Sequence, residues 1–361
     1  MHKKITVIGT VGLPAKYGGF ETLVEYITLE LNNDFDFTIY CSSKSYTKKV
    51  KSYNNCKLHY INQEANGISS IVYDIRSMVH ALKDADIFLI LGVSGCIILP
   101  LLKLFYRKKI IVNIDGLEWK RAKWGKAAKW FLKFSEKLAV KYSHTIIADN
   151  KVIQDYVKSA YGKRAKLIAY GADHTNKKVL TKDLLCTYPF LSKSYAFKVC
   201  RIEPENNVHL ILEAFSEYSM LNIVIVGNWK NSAYGKQLKI QFDSFDNIYL
   251  LDSIYDQNIL NQLRSNCYLY IHGHSAGGTN PSLVEAMWLG LPIIAYDINY
   301  NIETTANKAR YFSNKIGLIN QLKSLNKTEI SIMGVEMKNI AKERYTWSGI
   351  SEKYARLLSE V

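Results

Sequence analysis

The sequence has few cysteines, and their spacing gives them no common partner. Six cysteines are spread over 361 residues. None forms a Cys-x-x-Cys pair or a cluster with histidine, so we expect neither a zinc site nor a disulfide framework. The N-terminal segment MHKKITVIG enters a strand pattern at once, without the apolar region and cleavage site of a secretory signal. The sequence therefore predicts a protein of the reducing cytoplasm.

Long hydrophobic runs are also missing. The longest apolar segment is IFLILGVSGCIILPLL, residues 87–102, and it is interrupted by Gly92, Gly95 and Pro100. A membrane-spanning helix needs about 20 apolar residues. The segment instead predicts a buried strand, a tight glycine turn and the start of a helix, with a shallow membrane contact as the alternative.

Negative charge is scarce relative to positive charge. The chain has 47 Lys and Arg against 32 Asp and Glu, a formal net charge of +15. Such an excess favours anionic partners, which include nucleic acid, an anionic membrane and phosphorylated substrates. Composition alone does not choose among these three.

Twelve short apolar segments are typical of strands, and helical patterns separate them. They are ITVIG (5–9), FTIYC (37–41), KLHYI (57–61), IFLILG (87–92), KIIVNI (109–114), HTIIAD (144–149), KLIAY (166–170), YAFKVC (195–200), NIVIVG (222–227), NIYLL (247–251), CYLYIHG (267–273) and LPIIAYD (291–297). Strands that alternate with helices predict parallel sheets. A polar stretch divides the series near residue 173. We therefore predict an α/β protein with two doubly wound domains, whose ligands bind beyond the carboxyl strand ends in one cleft.

A glycine-rich turn follows the first predicted strand, in GTVGLPAKYGGFET, residues 9–22. It lacks the GxGxxG spacing of dinucleotide-binding turns and the GK[ST] ending of P-loops, and Ser42 stands where an acid would bind ribose. Gly18 and Gly19 lie at the predicted start of a helix, whose free N–H groups suit a phosphate. The alternative is a tight turn that only packs the strand against the helix.

An arginine follows the first strand of the second domain. This residue, Arg201, lies in VCRIEPENN. At that strand end an arginine can bind a diphosphate through charge-assisted hydrogen bonds. The alternative is a surface arginine that pairs with Glu203 or Glu205.

The segment HGHSAGGTNPSLVEAMWLG, residues 272–290, combines a polar loop with a helix start. Pro281 suits the first helical position, and Ser282 would present its N–H to an anion. One turn later, Glu285 could accept hydrogen bonds from two ribose hydroxyls, the alternative being a solvated glutamate. His274 could lie in the cleft or equally in the core. The candidate residues for binding an anion and a ribose here are His274, Gly278, Thr279, Asn280, Ser282 and Glu285.

Two carboxylates follow the strand KIIVNI. Asp115 and Glu118 lie in NIDGLEWKRAKW, at a carboxyl strand end. Carboxylates there can position an acceptor hydroxyl or act as a base. The alternative is that Asp115 only caps the next helix.

A basic helix with aromatic residues is predicted over residues 120–143. Such a helix suits an anionic bilayer surface. The alternatives are a solvated lysine-rich face and a surface that binds nucleic acid. The candidate membrane or acceptor residues are Lys123, Trp124, Lys126, Lys129, Trp130 and Lys133.

Several of these segments together resemble the retaining glycosyltransferases of family 4. They are RIEPENN (201–207), GGTNPSLVEAMWLGLPIIAYD (277–297), ERYTWSGISEKYARLL (343–358) and YGAD (170–173). The segments IGTVGLPAKYGGFETLVEYI (8–27) and NIDGLEWKRAKW (113–124) resemble a subgroup more closely. That subgroup comprises bacterial rhamnosyltransferases of capsule, O-antigen and rhamnose-polysaccharide synthesis.

The resemblance implies a GT-B fold, in which two Rossmann-like domains face a central cleft. The first domain would be residues 1–173 with a C-terminal helix, 346–361, that crosses back to it, and the second would be residues 174–345. The resemblance also implies a nucleotide-diphosphate sugar as donor, with no metal ion and no cofactor.

Site roles follow from the resemblance by position. The loop at Gly18 and Gly19 would contact the diphosphate, Arg201 would neutralise it, and Glu285 would bind the ribose. The segment from Gly278 to Ser282 would hold phosphate and sugar. Asp115 stands where many relatives carry a cleft histidine near the sugar.

The catalytic candidates are therefore Asp115, Glu118 and Arg201. Two usual donor contacts are absent, because Asn206 and Gly277 stand where relatives have a lysine and a glutamate. The backbone of the loop GGTN (277–280), His274 or a lysine elsewhere would then compensate for the two missing donor contacts.

The resulting prediction is a glycosyltransferase that moves L-rhamnose from dTDP-rhamnose to a saccharide on a polyprenyl-diphosphate lipid. It would work as a peripheral protein at the inner face of the plasma membrane. The alternatives are a UDP-hexose or UDP-N-acetylhexosamine donor, and more remotely a nucleotide-dependent oxidoreductase or a basic nucleic-acid-binding protein.

Overall fold

A computed structural model of the chain describes residues 2–16, 18–105, 108–121 and 123–361. The chain forms two compact units. Unit 1 comprises Met1–Lys120, Trp124–Tyr170 and Trp347–Val361, and unit 2 comprises Arg121–Lys123 and Gly171–Thr346. Both ends of the chain therefore fold into unit 1.

Unit 1 consists of strands and helices that alternate along the chain. Its strands are β1 (Lys3–Ile8), β2 (Phe35–Ser42), β3 (Ser52–Tyr53), β4 (Cys56–Ile61), β5 (Ile87–Leu91), β6 (Lys109–Asn113), β7 (Thr145–Ala148) and β8 (Lys166–Leu167). Its helices are α1 (Gly19–Leu31), α2 (Ser69–Ala81), α3 (Leu99–Phe105), α4 (Lys126–Tyr142), α5 (Lys151–Tyr161) and α14 (Trp347–Glu360).

The strands of unit 1 form one sheet in the order β3-β4-β2-β1-β5-β6-β7-β8. Every neighbouring pair is parallel except β3 and β4. The central strand β5, with the sequence IFLIL, is buried at all five positions. Such continuous apolar runs are expected where helices cover both faces of a parallel sheet.

Unit 2 has the same alternation. Its strands are β9 (Tyr195–Val199), β10 (Asn222–Val226), β11 (Ile248–Leu251), β12 (Leu269–His272), β13 (Ile293–Tyr296) and β14 (Arg310–Phe312). Its helices are α6 (Lys182–Thr187), α7 (Val208–Glu217), α8 (Ala233–Phe242), α9 (Gln257–Ser265), α10 (Pro281–Trp288), α11 (Asn299–Thr304), α12 (Lys315–Ser324) and α13 (Lys327–Arg344). The sheet order is β11-β10-β9-β12-β13-β14, with parallel neighbours throughout.

The prediction of two parallel-sheet α/β domains is confirmed, and each of the twelve predicted segments overlaps a strand. Two strands were missed, β3 and β14. They are two and three residues long, which is too short for the periodicity that identifies strands. The long apolar segment forms β5, a turn, a 3₁₀ turn at Cys96–Ile98 and α3, as predicted.

The basic helix begins later than predicted. Glu118–Lys120 form a separate 3₁₀ turn, and α4 starts at Lys126 with Gly125 as its N-cap. Ala122 lies outside the described residues. None of the helices in the described part of the chain has the length and hydropathy that crossing a bilayer requires.

The C-terminal helix α14 packs against α1 within unit 1. Its residues Ile350, Tyr354 and Leu357, which recur at i, i+4 and i+7, are all buried. The Trp347 ring stacks on Tyr26, with ring centroids 4.7 Å apart. Packing of this apolar stripe therefore holds the end of the chain in the first unit.

Candidate active site

The glycine turn of unit 1 is arranged around a buried carboxyl group. Gly18 is the N-cap of α1 with φ 140°, in a region that glycine adopts readily. The Glu21 carboxylate occupies the place that a side chain at position 18 would need. It accepts a hydrogen bond from the Val11 N–H at 2.7 Å. Burial raises the pKa of Glu21, and this N–H offsets part of the rise.

The start of α1, at Gly19, has no side-chain cap among the described residues. The Glu21 carboxylate accepts from its own N–H in the first turn, while the N-cap residue itself supplies no side chain that would compete with a phosphate. The packing of Glu21 requires glycine at position 18, so the turn has a structural role.

Asp115 lies in a strained turn after β6. It is half-buried with φ 57°, and Leu117 has φ 56°. Left-handed backbone at two non-glycine residues is uncommon and clusters at functional sites. The Asp115 N–H donates to Asn113 Oδ1 at 3.1 Å. Its carboxylate makes no hydrogen bond or ion pair with a described residue, so it caps no helix there and is available to a ligand.

Glu118 lies in the 3₁₀ turn that follows. One of its carboxylate oxygens accepts a hydrogen bond from Trp124 Nε1 at 3.0 Å. Trp124 is half-buried, and its indole braces Glu118. Glu118, predicted as a catalytic candidate, and Trp124, predicted as a surface residue, therefore contact each other.

The start of α4 exposes both charge and aromatic surface. Lys123 and Lys126 are exposed and Lys129 is half-buried. Trp130 is 70% exposed and stacks on Phe134, with ring centroids 5.7 Å apart. Exposed tryptophan beside lysines is typical of surfaces that lie on anionic bilayers.

Helix α3 packs against α4 and adds apolar surface. Leu101 and Leu104 are exposed, and Phe105 is 84% exposed. We call these three residues, together with Lys126, Trp130 and Phe134, the α3–α4 surface. Several exposed apolar side chains on two neighbouring helices favour an interaction role.

Lys133 does not belong to that surface. Its ammonium lies over the rings of Trp119 and Tyr156, 4.2 and 4.5 Å from their centroids, and forms an ion pair with Glu136 at 3.3 Å. Glu136 is fully buried and also accepts hydrogen bonds from Trp119 Nε1 at 2.9 Å and from Tyr161 Oη at 2.6 Å. Lys133, which the sequence placed on a membrane or acceptor surface, is thus engaged in this cluster, although 38% of its side chain is exposed.

Arg201 lies two residues after the end of β9 in unit 2 and is half-buried. It forms no ion pair with Glu203 or Glu205, nor with any other described residue. The Asn206 side-chain amide donates to the Arg201 carbonyl oxygen at 2.7 Å. Asn206 thus holds the backbone at Arg201 while the guanidinium itself stays unpaired within the described chain.

A group of basic side chains lies near the carboxyl ends of β9 and β12. Lys198 is 1% exposed and makes no hydrogen bond or ion pair with a described residue. Neither ring nitrogen of the buried His272 has a partner there, and its ring stacks on His274 with centroids 5.8 Å apart. Burial lowers the pKa of both histidines, and the Lys198 charge lowers it further.

Burial also lowers the pKa of Lys198 itself. An anion would stabilise such a group, since a buried cation without a partner is costly. The sequence reasoning missed Lys198, although a lysine inside the apolar segment YAFKVC was a visible signal.

The loop before α10 supplies the N-cap of that helix, and the cap occupies the first free N–H. Asn280 is the N-cap, and its Oδ1 accepts hydrogen bonds from the Ser282 N–H at 3.1 Å and from the Ser282 hydroxyl at 2.8 Å. The expected free N–H at Ser282 is therefore wrong for this structure. Gly278 is half-buried and Thr279 is buried in the preceding loop.

Glu285 lies on α10 and is held by two partners from other segments. Arg264 Nη1 lies 2.5 Å from Oε2, and His174 Nε2 lies 3.2 Å from Oε1. Burial alone would raise the pKa of Glu285, but Arg264 and His174 outweigh it and hold the pKa below its usual value. Glu285 is therefore an ionised carboxylate and not a freely solvated one.

Both partners were missed from the sequence. Arg264 is the penultimate residue of α9, and His174 follows the first residues of unit 2. Each was a single polar residue in a polar stretch, with no local motif. Only the fold brings them to Glu285.

Two family models match parts of the chain. The model described as Glycosyl transferases group 1 matches residues 190–322, which lie in unit 2. The model described as Domain of unknown function (DUF1972) matches residues 2–173. No curated protein sequence matches the chain.

Solved structures match over nearly the whole chain. Sucrose-phosphate synthase from Thermosynechococcus elongatus has a TM-score of 0.80 at 11% identity, covering 99% of both chains. HepE from Anabaena in complex with UDP-glucose has a TM-score of 0.78 at 15% identity, covering 100% of both. A glycosyltransferase from Rickettsia africae has a TM-score of 0.73 at 12% identity, covering 99% of this chain and 98% of the other. The GT-B fold expected from the sequence is confirmed.

Proposed function

We propose that this chain, a glycosyltransferase of the GT-B type, transfers a sugar from a nucleotide-diphosphate donor to a saccharide acceptor with retention of configuration. The observation that supports this most is the ionised, partly exposed carboxylate of Glu285. Such a carboxylate accepts hydrogen bonds well from the hydroxyls of a ribose.

In the proposed reaction, the bond between the anomeric carbon and the β-phosphate oxygen breaks, and negative charge grows on the leaving diphosphate. Arg201 stabilises that charge, because its guanidinium has no carboxylate partner in the described chain. The acceptor hydroxyl attacks the oxocarbenium-like sugar on the face that the diphosphate leaves. The leaving phosphate takes the hydroxyl proton.

Asp115 and Glu118 then orient the acceptor or stabilise the sugar without forming a covalent bond. The unpaired carboxylate of Asp115 and its left-handed backbone support this role. In this proposal protein groups alone neutralise the donor, with no metal ion and no cofactor.

We propose L-rhamnose from dTDP-rhamnose as the first donor to test. Asn206 and Gly277 stand where similar enzymes carry two donor contacts, and a 6-deoxy sugar has no 6-hydroxyl to recognise. A UDP-hexose or UDP-N-acetylhexosamine is the second candidate. The structure of HepE with UDP-glucose favours including it.

The proposed acceptor is a saccharide on a polyprenyl-diphosphate lipid at the cytoplasmic face of the membrane. The α3–α4 surface supports this, because it combines exposed Phe105 and Trp130 with exposed Lys126. Apolar side chains would enter the interface, and lysines would meet anionic headgroups.

The test is the thermal shift of the wild-type chain with UDP, dTDP, GDP and NAD. We expect a rise in Tm with dTDP or UDP that is lost in Glu285→Gln. A preference for dTDP supports rhamnose, and a preference for UDP selects the second candidate. A response to NAD alone would overturn the glycosyl-transfer proposal, and so would steeply salt-dependent duplex DNA binding with no nucleotide response.

A further inference from the structure

We infer that Trp119 and Glu136 are positioning residues that hold the turn of residues 115–117 in the conformation required for sugar transfer. This inference rests on the proposed function, because it concerns the role of Asp115 in that reaction. Its basis is a series of contacts within unit 1 that leads from the buried Glu136 to the turn after β6.

The turn has a backbone conformation that its residue types do not favour. Asp115 and Leu117 are both left-handed, with φ of 57° and 56°. Residues other than glycine adopt this region at a cost in free energy, so surrounding contacts must hold them there. On the N-terminal side, Asn113 Oδ1 accepts a hydrogen bond from the Asp115 N–H at 3.1 Å.

On the C-terminal side, the turn is attached through Trp119. The Lys120 N–H donates to the Leu117 carbonyl oxygen at 2.8 Å, so the 3₁₀ turn at Glu118–Lys120 continues directly from the left-handed residues. Trp119 is the middle residue of this 3₁₀ turn, and its Nε1 donates to Glu136 Oε2 at 2.9 Å. Trp119 therefore fastens the turn to α4.

The two oxygens of Glu136 have different partners. Oε1 accepts hydrogen bonds from the Tyr156 and Tyr161 hydroxyls of α5, each at 2.6 Å, and from Lys133 Nζ at 3.3 Å. Among the described residues, Oε2 accepts only from Trp119. The carboxylate thus joins α5 on one side to the turn on the other.

Burial and charge keep this contact in one geometry. Glu136 is fully buried, and a buried carboxylate requires hydrogen-bond donors for its oxygens. The Lys133 ammonium covers the Trp119 indole, 4.2 Å from the ring centroid, while it neutralises the carboxylate. Burial and the neighbouring Glu136 raise the pKa of Tyr161, so its hydroxyl keeps the proton that it donates. Loss of the indole N–H would therefore leave Oε2 unsatisfied and detach the turn from α4.

The first measurement is amide hydrogen exchange over residues 113–120 of the full chain, which reports opening of the turn without any substrate. Trp119→Phe removes the N–H donor and should speed exchange of the Asp115 and Lys120 amides at least about tenfold, since hydrogen bonds to charged groups are strong. Tyr161→Phe is the matched control. It removes another donor to the same carboxylate and should leave these amides at the wild-type rate.

The second measurement is release of the nucleoside diphosphate from dTDP-rhamnose or UDP-glucose, with water as acceptor. The donor used is the one that raises the Tm of wild type more. Trp119→Phe should lower kcat at least about tenfold with an unchanged KM for the donor, because misplacing a group at the reacting centre slows the reaction. Tyr161→Phe should keep both constants.

A double variant tests whether Trp119 acts through Asp115. In an Asp115→Asn background, Trp119→Phe should lower kcat no further, because the group that it positions is already lost. If Trp119→Phe fails to fold by circular dichroism, Glu136→Gln is the second variant. It removes the charge that binds the indole N–H and should speed exchange of the same amides.

The outcomes separate this inference from the proposed function. Wild-type exchange in folded Trp119→Phe overturns the positioning role, while the glycosyltransferase proposal stands. Faster exchange with wild-type kcat, or additive losses in the double variant, overturns the action of Trp119 through Asp115. A wild-type chain that neither binds nor cleaves a nucleotide sugar overturns the proposed function, and the inference about sugar transfer with it.

Discussion

Arg201 and Asp115 share one property at the residue scale. Both are half-buried, and neither charged side chain has a partner in the described chain. Charged groups that are withdrawn from water without a partner cost free energy. Such groups are therefore candidates for contact with a ligand.

We expect Arg201→Met to lower kcat by about 10² to 10³, the usual cost of losing one group that stabilises transition-state charge. The measurement is the initial rate of sugar transfer at saturating donor. Arg356→Met is the control, because Arg356 is an exposed arginine paired with Glu352 on α14. Wild-type turnover in Arg201→Met would contradict the proposal that Arg201 stabilises the leaving diphosphate.

Asp74 gives a residue-scale prediction about stability. It is buried in α2, and burial raises its pKa from the ordinary value of 3.8 to about 8. Between these values the folded chain holds a proton that the unfolded chain releases. This contribution to stability is complete below about pH 4 and is lost progressively as the pH rises to about 8.

Asp74→Asn should therefore flatten the pH dependence of Tm and raise Tm at pH 8 relative to wild type. Thermal denaturation at pH 5 and pH 8 measures both effects. Asp34→Asn, at an exposed position, should leave the profile unchanged. An identical slope in Asp74→Asn and wild type would show that Asp74 is ionised in the folded state.

At the scale of single elements, helix α4 has a buried face that packs and an opposite face that is exposed. Its inner face buries Glu136, which Lys133 and three ring donors satisfy. Its outer face leaves Trp130 and Lys126 exposed. The lysines of this helix are therefore not equivalent, since Lys133 is engaged in packing and Lys126 is exposed.

We expect Lys123→Glu/Lys126→Glu to weaken binding to phosphatidylglycerol vesicles at least about tenfold, at roughly 1 kcal/mol for each lysine near the surface. Co-sedimentation with vesicles measures this. Lys323→Glu/Lys327→Glu makes the same charge change at exposed positions of unit 2 and should have less effect. An equal loss of vesicle binding in both variants would show that the binding comes from net charge alone and not from the α3–α4 surface.

At the scale of the whole molecule, the last helix stabilises the first unit. Trp347 is buried, stacks on Tyr26 and meets the Tyr170 ring edge-on with centroids 4.9 Å apart. Lys3 Nζ also donates to the Ser359 carbonyl oxygen at 2.7 Å, at the negative end of α14. Unit 1 is therefore complete only when both chain ends are present.

Trp347→Ala should destabilise unit 1 by about 3–5 kcal/mol, the usual cost of removing a buried aromatic side chain. Urea denaturation should then show unit 1 unfolding at lower urea while the unfolding of unit 2 is unchanged. Trp130→Ala removes an exposed tryptophan and should have little effect. A single transition shifted as a whole would show that the two units unfold together.

The sequence by itself determined the two-sheet architecture and several local features of the site. Alternating apolar segments predicted the strands, since strand and helix periodicities are properties of neighbouring residues. The pattern at Ile350, Tyr354 and Leu357 predicted a buried helix face for the same reason. Pro281 does begin α10, and Gly19 does begin α1.

Only the tertiary structure decided how the charged side chains are partnered. Glu285 meets Arg264 and His174, which are 21 and 111 residues away in sequence, because parallel sheets place distant segments side by side. The same packing buries Lys198 and engages Lys133, while Lys126 stays exposed. Electrostatic pairing depends on distance in space and on burial, and neither is encoded in a local pattern of residues.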